Sequence, residues 1–184
     1  MVAPVLTEFP KEVPLDDGTV VVVRPLREDD GPKLAAFFAE LPEEDRYWLK
    51  EDVADPAVID RWVKELDYRR VLPLVAVHDG RIIADATLHR RFHGARSHLG
   101  EIRVVVHPQY RRRGLGLLLI GELVALAAEM GLERLYVEIV SGVEQPALEV
   151  VQQAGFERVG EIPAHLRGPD GEPHDLIFLA MNLV

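Results

Sequence analysis

The sequence predicts an α/β fold, a mixed sheet with helices on both faces. Two observations carry this. β-branched runs and helically striped runs follow one another in the order β, α, α, α, a β meander, α, β, α, β, β. Two of the β-rich runs join at Asp79-Gly80, the strongest short hairpin signal, so part of the sheet is antiparallel. At 184 residues the chain suits one domain with its own core.

GTVVVVRPL (18–26) is β-branched and ended by Pro25, a strand. REDDGPKLAAFFAELP follows with acids in its first turn, Pro32 near its start and a helical apolar stripe. EEDRYWLK and PAVIDRWVKELDYRR read as two further short helices. VLPLVAVHDGRIIADATLHRRF is the hairpin, and SHLGEIRVVVHP is a strand halted by Pro108. A long helix over 114–130 ends at Gly131, a left-handed cap. ERLYVEIV is a strand, and EQPALEVVQQAG a helix closed by Gly155. The run FERVGEIPAHL, a turn at RGPDGEPH and the strand DLIFLAMNL complete the chain. No repeat, low-complexity segment or linker interrupts it.

Composition excludes several functions. There is no cysteine, hence no disulfide, thiol nucleophile or thiolate metal site. The net charge of −10 argues against nucleic-acid binding, whose affinity comes from Lys and Arg. The stretch MVAPVLTEFPKEVPLDDG lacks the basic and apolar regions of a secretory signal. The most apolar run, 115–130, is interrupted by Glu122 and Glu129 and is short of the roughly 20 residues a membrane span needs. The expectation is a cytoplasmic protein that is not membrane-bound. The histidines do not converge on a metal: His89 and His93 are spaced for a helix but lie in a hairpin. There is no Gly-x-Ser-x-Gly elbow for a serine hydrolase.

Charge is unevenly spread. Ten acids fall between Glu40 and Asp67, either a solvated face or a lure for a cationic amine. Between Ala86 and Arg113 there are seven arginines and one acid, Glu101, which suggests a small anionic ligand. Arg111, Arg112 and Arg113 stand directly before the long helix, with Gly114 and Gly116. A helix N-terminus presents unpaired N–H groups and partial positive charge. Glycines allow close approach of a ligand to backbone, and guanidinium forks suit phosphate oxygens. The loop is therefore a pyrophosphate cradle or a solvated arginine turn capped by helix-packing glycines. It lacks the lysine and hydroxyl of a Walker loop, and Leu119 stands where a dinucleotide fingerprint needs its third glycine.

QYRRRGLG resembles the Arg/Gln-x-x-Gly-x-Gly/Ala signature of the GNAT superfamily of N-acetyltransferases, matched by Arg111, Gly114 and Gly116. VVVRPLREDD looks like the family's first strand and turn, GEIRVVVHPQYRRRGLG like its fourth strand and loop, and QQAGFERVG like the Gly-Phe opening its sixth. The resemblance implies a mostly antiparallel GNAT-like sheet over residues 18–184, with 1–17 as an N-terminal extension, and a site for acetyl-CoA. Loop N–H groups from Arg111 through Leu115 to Gly116 would hold the pyrophosphate. Val104, Val105 and Val106, on a strand splayed from its neighbour, would pair with pantetheine. The Val106 N–H would polarise the thioester carbonyl. A homodimer is compatible with the family and not required by it.

Acetyl transfer to an amine needs a proton acceptor. Glu101 matches the place of the family's general base; its alternative role is an ion pair with Arg103 or Arg90. Val151 stands where the family often has a tyrosine acid, and Glu144 where it often has asparagine. Tyr136 could substitute as acid or simply pack; His107 and His174 are the remaining titratable candidates. The implied activity is transfer of acetyl to a primary amine of a small molecule or protein. A non-catalytic acyl-CoA sensor is the alternative.

Overall fold

The computed structural model describes residues 6–184. Eight strands form a single sheet: β1 (Lys11–Pro14), β2 (Val20–Pro25), β3 (Val71–His78), β4 (Arg81–Arg90), β5 (Leu99–Val106), β6 (Arg134–Val140), β7 (Glu157–Arg167) and β8 (Pro173–Asn182). Their spatial order is β1-β2-β3-β4-β5-β6-β8-β7. Every pairing is antiparallel except β5 with β6, which the crossover helix α4 (Leu115–Glu129) makes parallel. The expected mixed, mostly antiparallel sheet is what forms.

Helices cover both faces. On one, α4 and α5 (Gln145–Gln153) bury Leu115, Leu119, Leu123 and Val151, with Phe156 just after α5, against Leu72, Leu88 and Ile102. On the other, α1 (Gly31–Glu40) and α3 (Pro56–Lys64) bury Leu34, Phe37, Phe38, Ile59 and Val63 against Val75 and Ile82. The short α2 (Glu43–Tyr47) lies between them in sequence. Gly131 is left-handed at φ 77°, as a helix stop after α4 should be. No described helix is long and apolar enough to cross a membrane.

Two elements depart from expectation. Strand β1 lies within the stretch set apart as an extension, so the sheet begins at Lys11 rather than residue 18. KEVP is short and charged; only its ladder to β2, Lys11↔Val23 through Pro14↔Val20, makes it a strand. Residues 1–5 of that stretch lie outside the described residues. The helix expected over 56–70 stops at Lys64, because the Asp67 carboxylate accepts the Arg69 N–H at 3.1 Å and its carbonyl takes the Arg70 N–H. Such a side-chain turn competes with helix.

Candidate active site

Strands β5 and β6 pair only at Leu99↔Arg134, Gly100↔Leu135 and Glu101↔Tyr136, and then part. Gly100 closes the joined end. A Cβ there would fall 2.7 to 2.9 Å from the side chains of Leu135, Leu88 and Leu132. Past Glu101, β5 keeps only its β4 partner, through Ala84↔Val106.

The ladder decides which backbone groups face the gap. The His107 N–H donates to the Ile83 carbonyl at 2.9 Å. Antiparallel pairs alternate between bonded and non-bonded, so the bonded residues of β5 are the odd ones. The N–H groups of Val104 and Val106 therefore point into the gap. Val105 does not fit the expectation: its backbone is spent on Asp85 of β4, and its side chain packs towards α1 and α3. The Val106 carbonyl is also taken, by Arg111 Nε at 2.9 Å.

Beyond β5 the loop turns into α4 through two left-handed residues, Arg112 at φ 58° and Gly114 at φ 79°. Among the described residues, none of the N–H groups of Arg112, Arg113, Gly114, Leu115, Gly116 and Leu117 has an acceptor; the first helical bond runs from the Leu118 N–H to the Gly114 carbonyl. This concavity of N–H groups at a helix start suits an anion. The arginine side chains are less available than the backbone. Arg111 pairs with Asp45 of α2 at 2.6 Å, and Arg113 with Asp17 at 2.8 Å. Asp16 donates its N–H to the Arg113 carbonyl at 3.1 Å, so the segment before β2 braces the loop.

Glu101 is buried on the face opposite α4. It accepts from Lys50 Nζ at 2.5 Å, Arg103 Nε at 2.7 Å and the Tyr136 hydroxyl at 3.2 Å; Arg90 is not its partner. Lys50 also bonds Glu138 of β6 at 2.6 Å, bridging the two parted strands. Burial by itself would raise the Glu101 carboxyl, but the hydrogen bonds and charges of Arg103 and Lys50 override it and hold it at about 2. Tyr136 is pushed up to about 12, by burial first and then by the Glu101 charge, which makes it a poor acid. A cavity of about 340 Å³ opens beside this cluster, with Glu101, Arg103, Tyr136 and His89 in its wall.

The Glu101 carboxyl sits below its ordinary 4.5 when folded. Its ion pairs thus stabilise the fold above about pH 4.5, and that contribution is lost as pH falls through 2. Lys50→Ala removes one of the two cations. The expected result, read by carbon NMR of the carboxyl, is a titration midpoint displaced towards 4.5. An unmoved midpoint would show that Lys50 does not set the charge state of Glu101.

The other sequence candidates are placed as follows. Val151 is in the core, 4% exposed. Glu144 caps the turn before α5, accepting the Val140 N–H at 2.7 Å; burial raises its carboxyl. His107 is buried beside Glu40, its Nδ1 facing the Gln109 N–H, a turn-closing role. His174 lies against Trp48, ring centres 5.1 Å apart. The acidic run does not converge on the site. Asp45 holds Arg111, Glu51 holds Arg61 and Trp62, and Asp55 caps α3. Lys50 and Glu138 were not legible in the sequence, since no motif surrounds either. Among the described residues no three metal-ligating side chains cluster.

A family model described as the acetyltransferase (GNAT) family matches residues 34–156. An acetyltransferase of Pseudomonas aeruginosa is 29% identical over 128 residues, covering 66% of this chain and 67% of its own. The GNAT domain of S. lividans PAT superposes with a TM-score of 0.77 at 22% identity, covering 94% of this chain and 96% of its own. A putative acetyltransferase of Salmonella typhimurium, yncA, solved with its cofactor acetyl-CoA, does so at 0.74 and 20%, covering 89% and 94%.

Proposed function

The chain belongs to the GNAT family of acetyltransferases, and from that premise we propose that it moves the acetyl group of acetyl-CoA onto a primary amine by direct attack in a ternary complex. The observation that carries this reading is the parted strand pair, with two free N–H groups on β5, leading directly into a loop of unpaired N–H groups. An arm bearing amides and a pyrophosphate meets donors along its whole length there. The Arg112–Leu117 backbone receives the pyrophosphate and the Val106 N–H, next along β5, pairs with pantetheine. The thioester at the far end of the arm then meets the Val104 N–H, two residues nearer Glu101, rather than the Val106 N–H expected from the sequence.

The amine enters from the opposite face, where Glu101 and Glu138 already accept an ammonium, that of Lys50. Attack forms the C–N bond and converts the carbonyl to an oxyanion held by the Val104 N–H. Glu101 receives the proton from nitrogen. A carboxyl at about 2 is too weak a base to deprotonate a free ammonium. Once nitrogen is bonded to the tetrahedral carbon its proton is far more acidic, and a weak base suffices. Collapse then breaks the C–S bond. CoA departs as a thiolate, tolerable for a thiol of pKa about 8.5, since Tyr136 is held to Glu101 and Val151 has no proton to give.

Calorimetric binding of acetyl-CoA together with thiol release across a panel of amines tests the proposal. Binding without turnover on any amine would make the chain an acyl-CoA sensor; absence of binding would remove both readings. One variant isolates the arm's channel. A Cβ on Gly116 would stand 3.6 Å from Val150 and 4.0 Å from Val106, ordinary contacts between α5 and β5. Gly116→Val therefore folds but fills the gap, and should raise the CoA dissociation constant at least about tenfold, some 1.4 kcal/mol. Unchanged affinity in the folded variant would place the arm elsewhere.

A further inference from the structure

The cavity beside Glu101 has a charge that acetyl-CoA does not explain. Five arginines line it, Arg70, Arg90, Arg91, Arg96 and Arg103, against one carboxylate, Glu101. Arg103 is neutralised by that carboxylate. Among the described residues, no ion pair involves Arg70, Arg91 or Arg96, which are exposed. Acids are not scarce, since the chain has 31 against 21 Lys and Arg. Unpaired cations have nevertheless been gathered around one hollow, where they repel one another.

Arg90 sharpens the point. It is 7% exposed, and its Nε and both terminal nitrogens are buried without a hydrogen-bond partner. A guanidinium stays charged in proteins and carries five donors, so leaving it unpaired in the interior is costly. The Phe92 ring, 5.4 Å from the guanidinium carbon, offsets only part of that cost. The Arg90 nitrogens are closed off even from water, so this guanidinium adds to the positive field behind the cavity, with Asp67 as the carboxylate acting on it. The contacts of an anion fall to the exposed arginines of the wall.

We propose that this cavity is the acceptor's second subsite, and that the amine acetylated at Glu101 carries an oxyanion, a carboxylate or a phosphonate, held by the arginine wall. This rests on the acetyltransferase reading and adds the substrate class to it. The juxtaposition supports it: Glu101 and Tyr136 are themselves part of the wall, so an anion in the hollow leaves its amine end beside the carboxylate that accepts ammonium. Forked guanidinium donors bind planar carboxylate and tetrahedral phosphonate oxygens alike. A volume of about 340 Å³ admits a small amino acid and lies within the usual range for ligand sites.

Matched amines test it. CoA release is measured with β-alanine against β-alaninamide, and with 2-aminoethylphosphonate against its diethyl ester. The anionic member of at least one pair should have a kcat/KM about tenfold higher or more, and which pair does so separates carboxylate from phosphonate. The double substitution Arg70→Gln and Arg96→Gln, at exposed positions, should erase most of that preference through KM while acetyl-CoA affinity stays unchanged. Inorganic phosphate should shift the guanidinium carbon NMR resonances of Arg70 and Arg96 in the acetyl-CoA complex, where the loop is occupied. Equal or better use of the neutral amines overturns the proposal, as does a preference that survives the double substitution. If no amine in the panel turns over, unmoved Arg70 and Arg96 resonances overturn it. Failure to bind acetyl-CoA would instead sink the acetyltransferase reading, and the phosphate titration of the free protein would still decide the cavity.

Discussion

Glu101→Gln is expected to lower kcat by about 10²–10⁴, the range for loss of a general base, with acetyl-CoA affinity kept. The amide retains the side chain's size and can still accept from Lys50 or Arg103, but it cannot take a proton. The pH dependence is the sharper readout. Because Glu101 titrates at about 2, it is ionised throughout the working range and contributes no limb to the profile. The rate should instead climb with pH through the acceptor's own amine pKa, and the limb should move when an amine of different pKa is used. The variant should show the same limb at a lower plateau. Near-normal turnover would move the base elsewhere, and a limb independent of the amine would point to another titrating group.

Val104→Pro should cost about 10²–10³ in kcat, the usual loss for one oxyanion donor. Proline is generally excluded from a central strand because it removes a ladder donor. Here the N–H of Val104 faces the gap and bonds nothing in β4, so the substitution deletes a free donor and leaves the ladder intact. Acetyl-CoA should still bind, since the loop from Arg112 to Leu117 is untouched. A folded variant with wild-type turnover would show that the thioester oxygen is held by another group. Val105→Pro makes the control: its N–H is spent in the β4 ladder, and its loss should destabilise the fold instead.

Much of this was legible in the residues because it depends on local chemistry. The β-branched runs, the Asp79-Gly80 hairpin, and the glycines at 114 and 131 each act within a few residues of themselves. Left-handed backbone at Gly114 and Gly131 costs little because neither has a Cβ. The loop of unpaired N–H groups was equally plain, since a helix start supplies its own.

What the tertiary structure decided were facts about partners distant in sequence. That β1 is a strand depends on β2, and that Val104 and Val106, but not Val105, face the gap depends on the register with β4. Glu101 was singled out in the sequence as the lone acid among arginines, yet its charge state depends on burial, on Arg103 and also on Lys50, 51 positions away in the chain. Arg90 looked like one arginine of seven; only folding stripped it of water without giving it a partner. Spacing along the chain records which groups are present. Desolvation and long-range pairing, which govern pKa and affinity, exist only once the chain has closed on itself.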